Sequence, residues 1–156
     1  MLAKLHKLLA ETLGSDADTD VVDDAAEIRL AAAALLIEIS RADDSEDPKE
    51  RELAARLVRE RFELGDAETE QLMQLASARA DESISLFEFT NRLKDALDEN
   101  GRGDVIEMLW DVVYADGQVD PYEEHLLRRI ADLLYVTHSE FIRRKHLAAE
   151  RHGVPY

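Results

Sequence analysis

The chain has 156 residues, 46% of them hydrophobic, with 19 basic and 35 acidic side chains, a net charge of −16 and no cysteine. That composition supports one folded domain with a real core, and it excludes disulfides, thiolate zinc sites, iron–sulfur clusters and a cysteine nucleophile. The negative surface repels phosphate backbones, so nucleic-acid binding is not expected, and it attracts cations and basic partners.

Met1–Leu13 places Leu2, Leu5, Leu8, Leu9 and Leu13 at helical spacing and stops at Gly14. It carries lysine and histidine but neither an apolar core segment nor a cleavage site, so no secretory leader is expected. Ser15–Asp24 is acidic and reads as a loop. Ala25 to about Ala42 predicts a helix whose broad apolar face, Ile28, Ala32, Leu35, Leu36 and Ile39, suits a central position. Its most apolar run, Leu30–Ile39, contains Glu38 and is too short to span a membrane, which leads us to expect a cytoplasmic protein without membrane insertion.

Asp47-Pro48 opens the next helix as N-cap and first helical residue, with Leu53, Leu57, Val58, Phe62 and Leu64 following and Gly65 as the stop. Asp66–Arg79 predicts a further helix with Leu72, Met73 and Leu75 toward the core. Ser85-x-x-Glu88 is a capping-box pattern for another, carrying Phe89, Leu93 and Leu97. Asn100-Gly101 and Gly103 read as a break. Asp104–Ala115 then supplies Ile106, Leu109, Trp110 and Val113. Asp120-Pro121 starts a helix with Leu126, Leu127, Ile130, Leu133 and Leu134. Thr137-x-x-Glu140 caps a last one with Phe141 and Leu147. No segment alternates with period two, so the expected fold is all-α, a single-domain bundle of about eight helices.

A short acidic motif occurs twice. Offset by 73 positions, Asp43 matches Asp116, Asp47 matches Asp120, Pro48 matches Pro121 and Glu50 matches Glu123. The match continues through Leu53/Leu126, Leu57/Ile130 and Phe62/Tyr135, after which one extra residue in the first unit aligns Glu68 with Glu140; upstream, Glu38 matches Asp111. The chain thus contains two helix–acidic loop–helix units, over about residues 30–68 and 104–140, within a helical domain over 25–150. Residues 1–24 precede it as helix and loop, and 151–156 follow as a tail.

Capping accounts for much of the motif. Asp47/Glu50 and Asp120/Glu123 each fit a capping box, an arrangement worth about 0.5–2 kcal/mol. Asp43 and Asp116 lie at helix C-termini, where the dipole favours positive charge. A hard divalent cation reverses that sign, because it takes carboxylate and carbonyl oxygens together. These are not EF-hand loops: the sixth and twelfth positions are Pro48 and Ala54 in one copy, Pro121 and Leu127 in the other. Asp16, Asp18, Asp20, Asp24 and Glu27 follow EF-hand spacing more closely, but Val21 replaces the glycine, and the stretch reads mainly as an acidic loop.

The run Leu109–Glu124, with Asp116-Gly117-Gln118-Val119 at its turn, and Leu126–Ala131 after it, resembles the tellurite-resistance TerB-like family. The resemblance is strongest over 104–147 and extends over 25–150. It implies an all-helical, often internally duplicated fold, a bacterial stress or tellurite-resistance setting, and metal binding by the acidic loops. Carried over by residue, it points to Asp116, Asp120 and Glu123, with Asp43, Asp47 and Glu50 as repeat equivalents. Asp44 and Glu46 replace Gly117 and Val119 in the first copy, which sets its loop apart.

None of the five histidines forms a recognised metal motif, no serine has a nucleophile-elbow context, and no glycine loop suits phosphate. No enzymatic activity and no catalytic residue are expected. Trp110, Tyr114, Phe62, Tyr135 and Phe141 fit the core. Arg143, Arg144, Lys145 and Arg151 read as a solvated basic face, with docking on a second copy as the alternative. The expectation is a non-catalytic module binding a divalent cation, calcium or magnesium favoured by the hard oxygen ligands and manganese also open, and serving a protein partner. The alternative is a metal-independent acidic module that recruits a basic partner.

Overall fold

A computed structural model describes residues 19–41, 48–82, 86–114 and 119–154, with side chains from residue 25 onward. Seven helices lie among them: α1 (Thr19–Ser40), α2 (Pro48–Arg61), α3 (Asp66–Glu82), α4 (Phe87–Ala96), α5 (Glu99–Val113), α6 (Pro121–Leu133) and α7 (His138–His152). There is no strand among the described residues. The all-α bundle is therefore as expected, and the Met1–Leu13 helix lies outside the described residues. None of the described helices is long and apolar enough to cross a membrane.

α1 is the central helix. Every residue from Ala31 to Ile37 is buried, on all sides of the helix rather than on one face. Its alanines make this possible, because small side chains let α2, α3, α4, α5 and α6 all approach it. α1 also begins earlier than the sequence implies. The backbone is helical from Thr19, so Asp20, Asp24 and Glu27 lie on a helix. An EF-hand loop needs its later positions to wrap an ion, and a continuous helix cannot do that.

The other departures have local causes. α2 does not stop at Gly65. It ends at Arg61, and the left-handed residue behind it is Glu63, φ 50. The Leu64 N–H donates to Arg59 O, the six-to-one bond of a Schellman turn. Gly65 serves the next helix instead, its carbonyl accepting from Thr69 N–H. On α3, Leu75 is 58% exposed, while Thr69, Met73, Ala76 and Ala80 are buried. The break at Asn100–Gly103 is not a break: Asp98 caps α5 by accepting from Gly101 N–H at 2.8 Å, and both glycines lie inside the helix. Ser85 lies outside the described residues. Thr137 does cap α7, accepting from Glu140 N–H at 3.2 Å.

The duplication is larger than the motif. α1–α2–α3 and α5–α6–α7 are equivalent three-helix units, with α4 between them; in each, the first helix packs on both the second and the third. The extra residue enters before the end of α2, which has 14 residues against 13 in α6. Glu63 and Tyr135, both at positive φ, are therefore equivalent, as are the buried Phe62 and Leu134. Tyr135, expected in the core as the partner of Phe62, is 70% exposed for this reason.

Candidate functional site

The acidic motif is only partly visible. Asp43, Asp47 and Asp116 lie outside the described residues. Asp120 is the N-cap of α6 and accepts from Tyr122 N–H at 2.8 Å, next to Pro121 at the start of the helix. Its capping role is thus met within the chain. Glu50 and Glu123 occupy the same place in the first turns of α2 and α6, and both are buried, 4% and 2% exposed. Among the described residues, no group of three or more acidic or histidine side chains is arranged to hold a metal ion.

A second constellation sits between α5 and α7. Asp104, Glu107 and Asp111 recur at three- and four-residue spacing along α5, and all are buried. Arg144, fully buried on α7, donates to Asp104 (2.5 Å), Glu107 (3.1 Å) and Glu140 (2.7 Å). Its other terminal nitrogen donates to Asn100 O and Oδ1 at 3.2 and 3.1 Å. One and two turns on, Arg151 bonds Glu107 at 2.5 Å and both oxygens of Asp111 at 2.9 and 3.1 Å. Asp111 also meets His152 Nε2 at 3.1 Å and, from α2, Arg61 at 3.5 Å. The basic face of the last helix is thus not simply solvated. Arg144 and Arg151 dock on the acidic stripe of their own chain, Arg143 bonds Glu140, and Lys145 lies 5.3 Å from the Trp110 ring centre.

The ionisation of this seam follows from its burial. Desolvation pushes Asp104 above the usual carboxylate range, against the pull of Arg144. Hydrogen bonds from Arg143, then from Arg144, bring Glu140 down to about 2. Burial works to lower Arg144, but its bonds to Asp104 and Glu140 outweigh it and hold the guanidinium charged. In the first unit, burial raises Glu38, the counterpart of Asp111. Burial, then the nearby Glu124, raises Tyr114, which stacks on Trp110 at 5.6 Å. Such a network positions helices; among its groups there is no nucleophile set against a base.

Against known families, the model of the tellurite resistance protein TerB matches residues 29–146, well over half of the chain. The chain belongs to the TerB family. Searches of curated proteins and of solved structures returned no match. The TerB match begins inside α1 and ends inside α7, so it takes in at least part of every helix of both units and all of the acidic stripe on α5.

Within this TerB domain the two units solve the same packing problem differently. Offset by 73 along the first helices and 72 along the third, Asp104 corresponds to Ala31, Glu107 to Ala34 and Arg144 to Leu72. Ala31 and Ala34 are buried and Leu72 packs on the core. At these three positions one seam is apolar and the other ionic. The signal for the ionic one was present in the sequence: acids at 104, 107 and 111 interrupt an apolar helix, and arginines at 144 and 151 are spaced to meet them. Read singly, each charge looked solvated. Only the pairing of the two stripes identifies the network.

Proposed function

We propose that this TerB protein is a non-catalytic, cytoplasmic module that binds divalent cations at its two acidic loops, in a stress-response or tellurite-resistance-type system. The ligands are assigned to Asp43, Asp47 and Glu50 in the first loop and Asp116, Asp120 and Glu123 in the second. The observation that carries the reading is the matched burial of Glu50 and Glu123, each on the first turn behind an acidic loop. A glutamate that only completes a cap can do so at the surface. A carboxylate drawn inward at the same place in both units is what a cation-centred site uses. Hard oxygen ligands favour calcium or magnesium, with manganese also fitting. Occupancy would stiffen the loop between two helices and so change the surface shown to a protein partner.

The test is calorimetry on metal-stripped protein with each of the three ions. Binding heat that is reduced in Asp116→Asn is the expected result, the second loop, with Gly117 and Val119, being the site to test first; a titration unchanged in that variant would count against the reading. Absence of heat with all three ions would sink the proposal. Partner capture that weakens with salt yet survives chelator would favour the metal-independent alternative.

A further inference from the structure

The duplication lets one groove be read against another. In the second unit the furrow between α6 and α7 is filled. The buried Phe141 ring lies 5.2 Å from Trp110, and the Arg128 guanidinium lies 5.9 Å from the Phe141 ring centre. Lys145 completes the cover over Trp110. In the first unit the equivalent positions are Thr69 for Phe141, Ala55 for Arg128 and Met73 for Lys145, by the offsets of 72 along the third helices and 73 along the second. All three line an open groove of about 1010 Å³ between α2 and α3. The groove exists because a phenylalanine and an arginine in one unit are a threonine and an alanine in the other.

We infer that the α2–α3 groove is a docking site for a partner polypeptide that inserts an aromatic side chain. Leu53 and Met73 give the floor its apolar part, beside the buried Glu50 and Thr69. The Thr69 hydroxyl donates to Gly65 O at 2.9 Å, so it is satisfied within its own helix and asks nothing of an occupant. Arg56, exposed on the rim, is placed to stack on a ring, as Arg128 does on Phe141. The lining carries Lys49, Arg51, Arg56 and Arg59 among as many acidic residues, so net charge selects neither a basic nor an acidic partner there. Recognition rests on the ring. Glu50, a proposed cation ligand, also lines the groove; the groove is therefore probed on metal-stripped protein, so that failure of the cation reading leaves its test intact.

The test is a ¹⁵N heteronuclear titration of the full chain with N-acetyl-phenylalaninamide, with N-acetyl-leucinamide as the control. Expected are shifts at Leu53, Ala55, Thr69 and Met73, saturating on the order of millimolar as befits so small a probe. They should be little changed by salt, because the contact is not between net charges. Ala55→Arg and Thr69→Phe restore the two side chains of the second unit and should each weaken binding by about tenfold. If Thr69→Phe does not fold, Ala55→Arg, at a half-buried position, keeps the test intact. Absent shifts, equal response to the leucine probe, or binding unchanged in folded Ala55→Arg would overturn the proposal. So would probe-free shifts that depend on protein concentration, which make a second copy the occupant. Nuclear Overhauser contacts from the side chains of Met1–Leu13 would do the same by assigning the groove to the chain's own segment.

Discussion

Gly103 and Arg144 touch across the α5–α7 seam: a Cβ on residue 103 would lie 2.7 Å from Nη2 and 2.9 Å from Cζ of the guanidinium. The glycine is not there for a turn. It lets a fully buried arginine lie flat against the α5 backbone, where Asp104 and Glu107 can reach it.

Gly103→Ala should therefore destabilise the protein, although alanine is the better helix former by about 1 kcal/mol. The guanidinium is held by bonds to three carboxylates and Asn100, so it cannot swing aside cheaply. A net loss of about 1–3 kcal/mol is expected from overpacking, read as a lower urea midpoint with unchanged slope.

Arg144→Leu should cost about 3–5 kcal/mol, because it strands the buried Asp104 without its cation and leaves Glu107 to Arg151 alone. The triple change Asp104→Ala, Glu107→Ala and Arg144→Leu copies the Ala31/Ala34/Leu72 seam of the first unit. It should recover more than half of that loss, since replacing a whole buried ion pair with apolar groups is often neutral. Urea unfolding of the single and combined variants gives the coupling directly. A triple variant less stable than Arg144→Leu would show that the ionic seam has no apolar substitute.

Two pH effects of opposite sign meet at Arg144. Glu140 falls from an ordinary 4.5 to about 2, so its stabilising contribution is present above about pH 4.5 and is lost as pH falls toward 2. Asp104 is raised by burial, so its contribution is complete below its unfolded value and is lost as pH rises through the folded one. Glu140→Gln should flatten the acid limb of a stability–pH profile. Asp104→Asn should remove the opposing loss and leave the Glu140 limb in place. Urea midpoints from pH 2 to 7 would separate them.

Gly153 ends α7 in the left-handed region, φ 64, with its N–H donating to Glu150 O and Val154 N–H closing on Ala149 O. Nothing lies within 4 Å of a Cβ built there. Gly153→Ala should then cost only the backbone strain, about 1 kcal/mol, seen as a lower melting temperature. A larger drop would mean that the Schellman turn carries the Arg151 and His152 contacts with it.

Much of the helical order was legible in advance because it depends on near neighbours. The Thr137 cap and the Asp120-Pro121 start are set within a few residues, and each is where the sequence implies. Leu75, Tyr135 and Gly65 were misplaced for a different reason. Their fates depend on a one-residue shift inside α2 and on which side of α3 meets α1, and no local pattern states either. The site divides in the same way. The acidic motif could be found by its repetition. The Asp104–Arg144 pair, 40 residues apart, required the fold to bring two stripes together.

By itself, then, the sequence determined the helical class, the internal duplication, the family and the Asp120 and Thr137 caps, because periodicity and short-range hydrogen bonding decide these. Only the tertiary structure decided that the basic face of α7 docks on its own chain, that Glu50 and Glu123 are drawn inward together, and that one inter-helix groove is filled while its twin stands open. Those outcomes turn on side-chain volume and charge compared across helices, and burial gives them their weight, since a charge that is inexpensive in water must find its partner once water is gone.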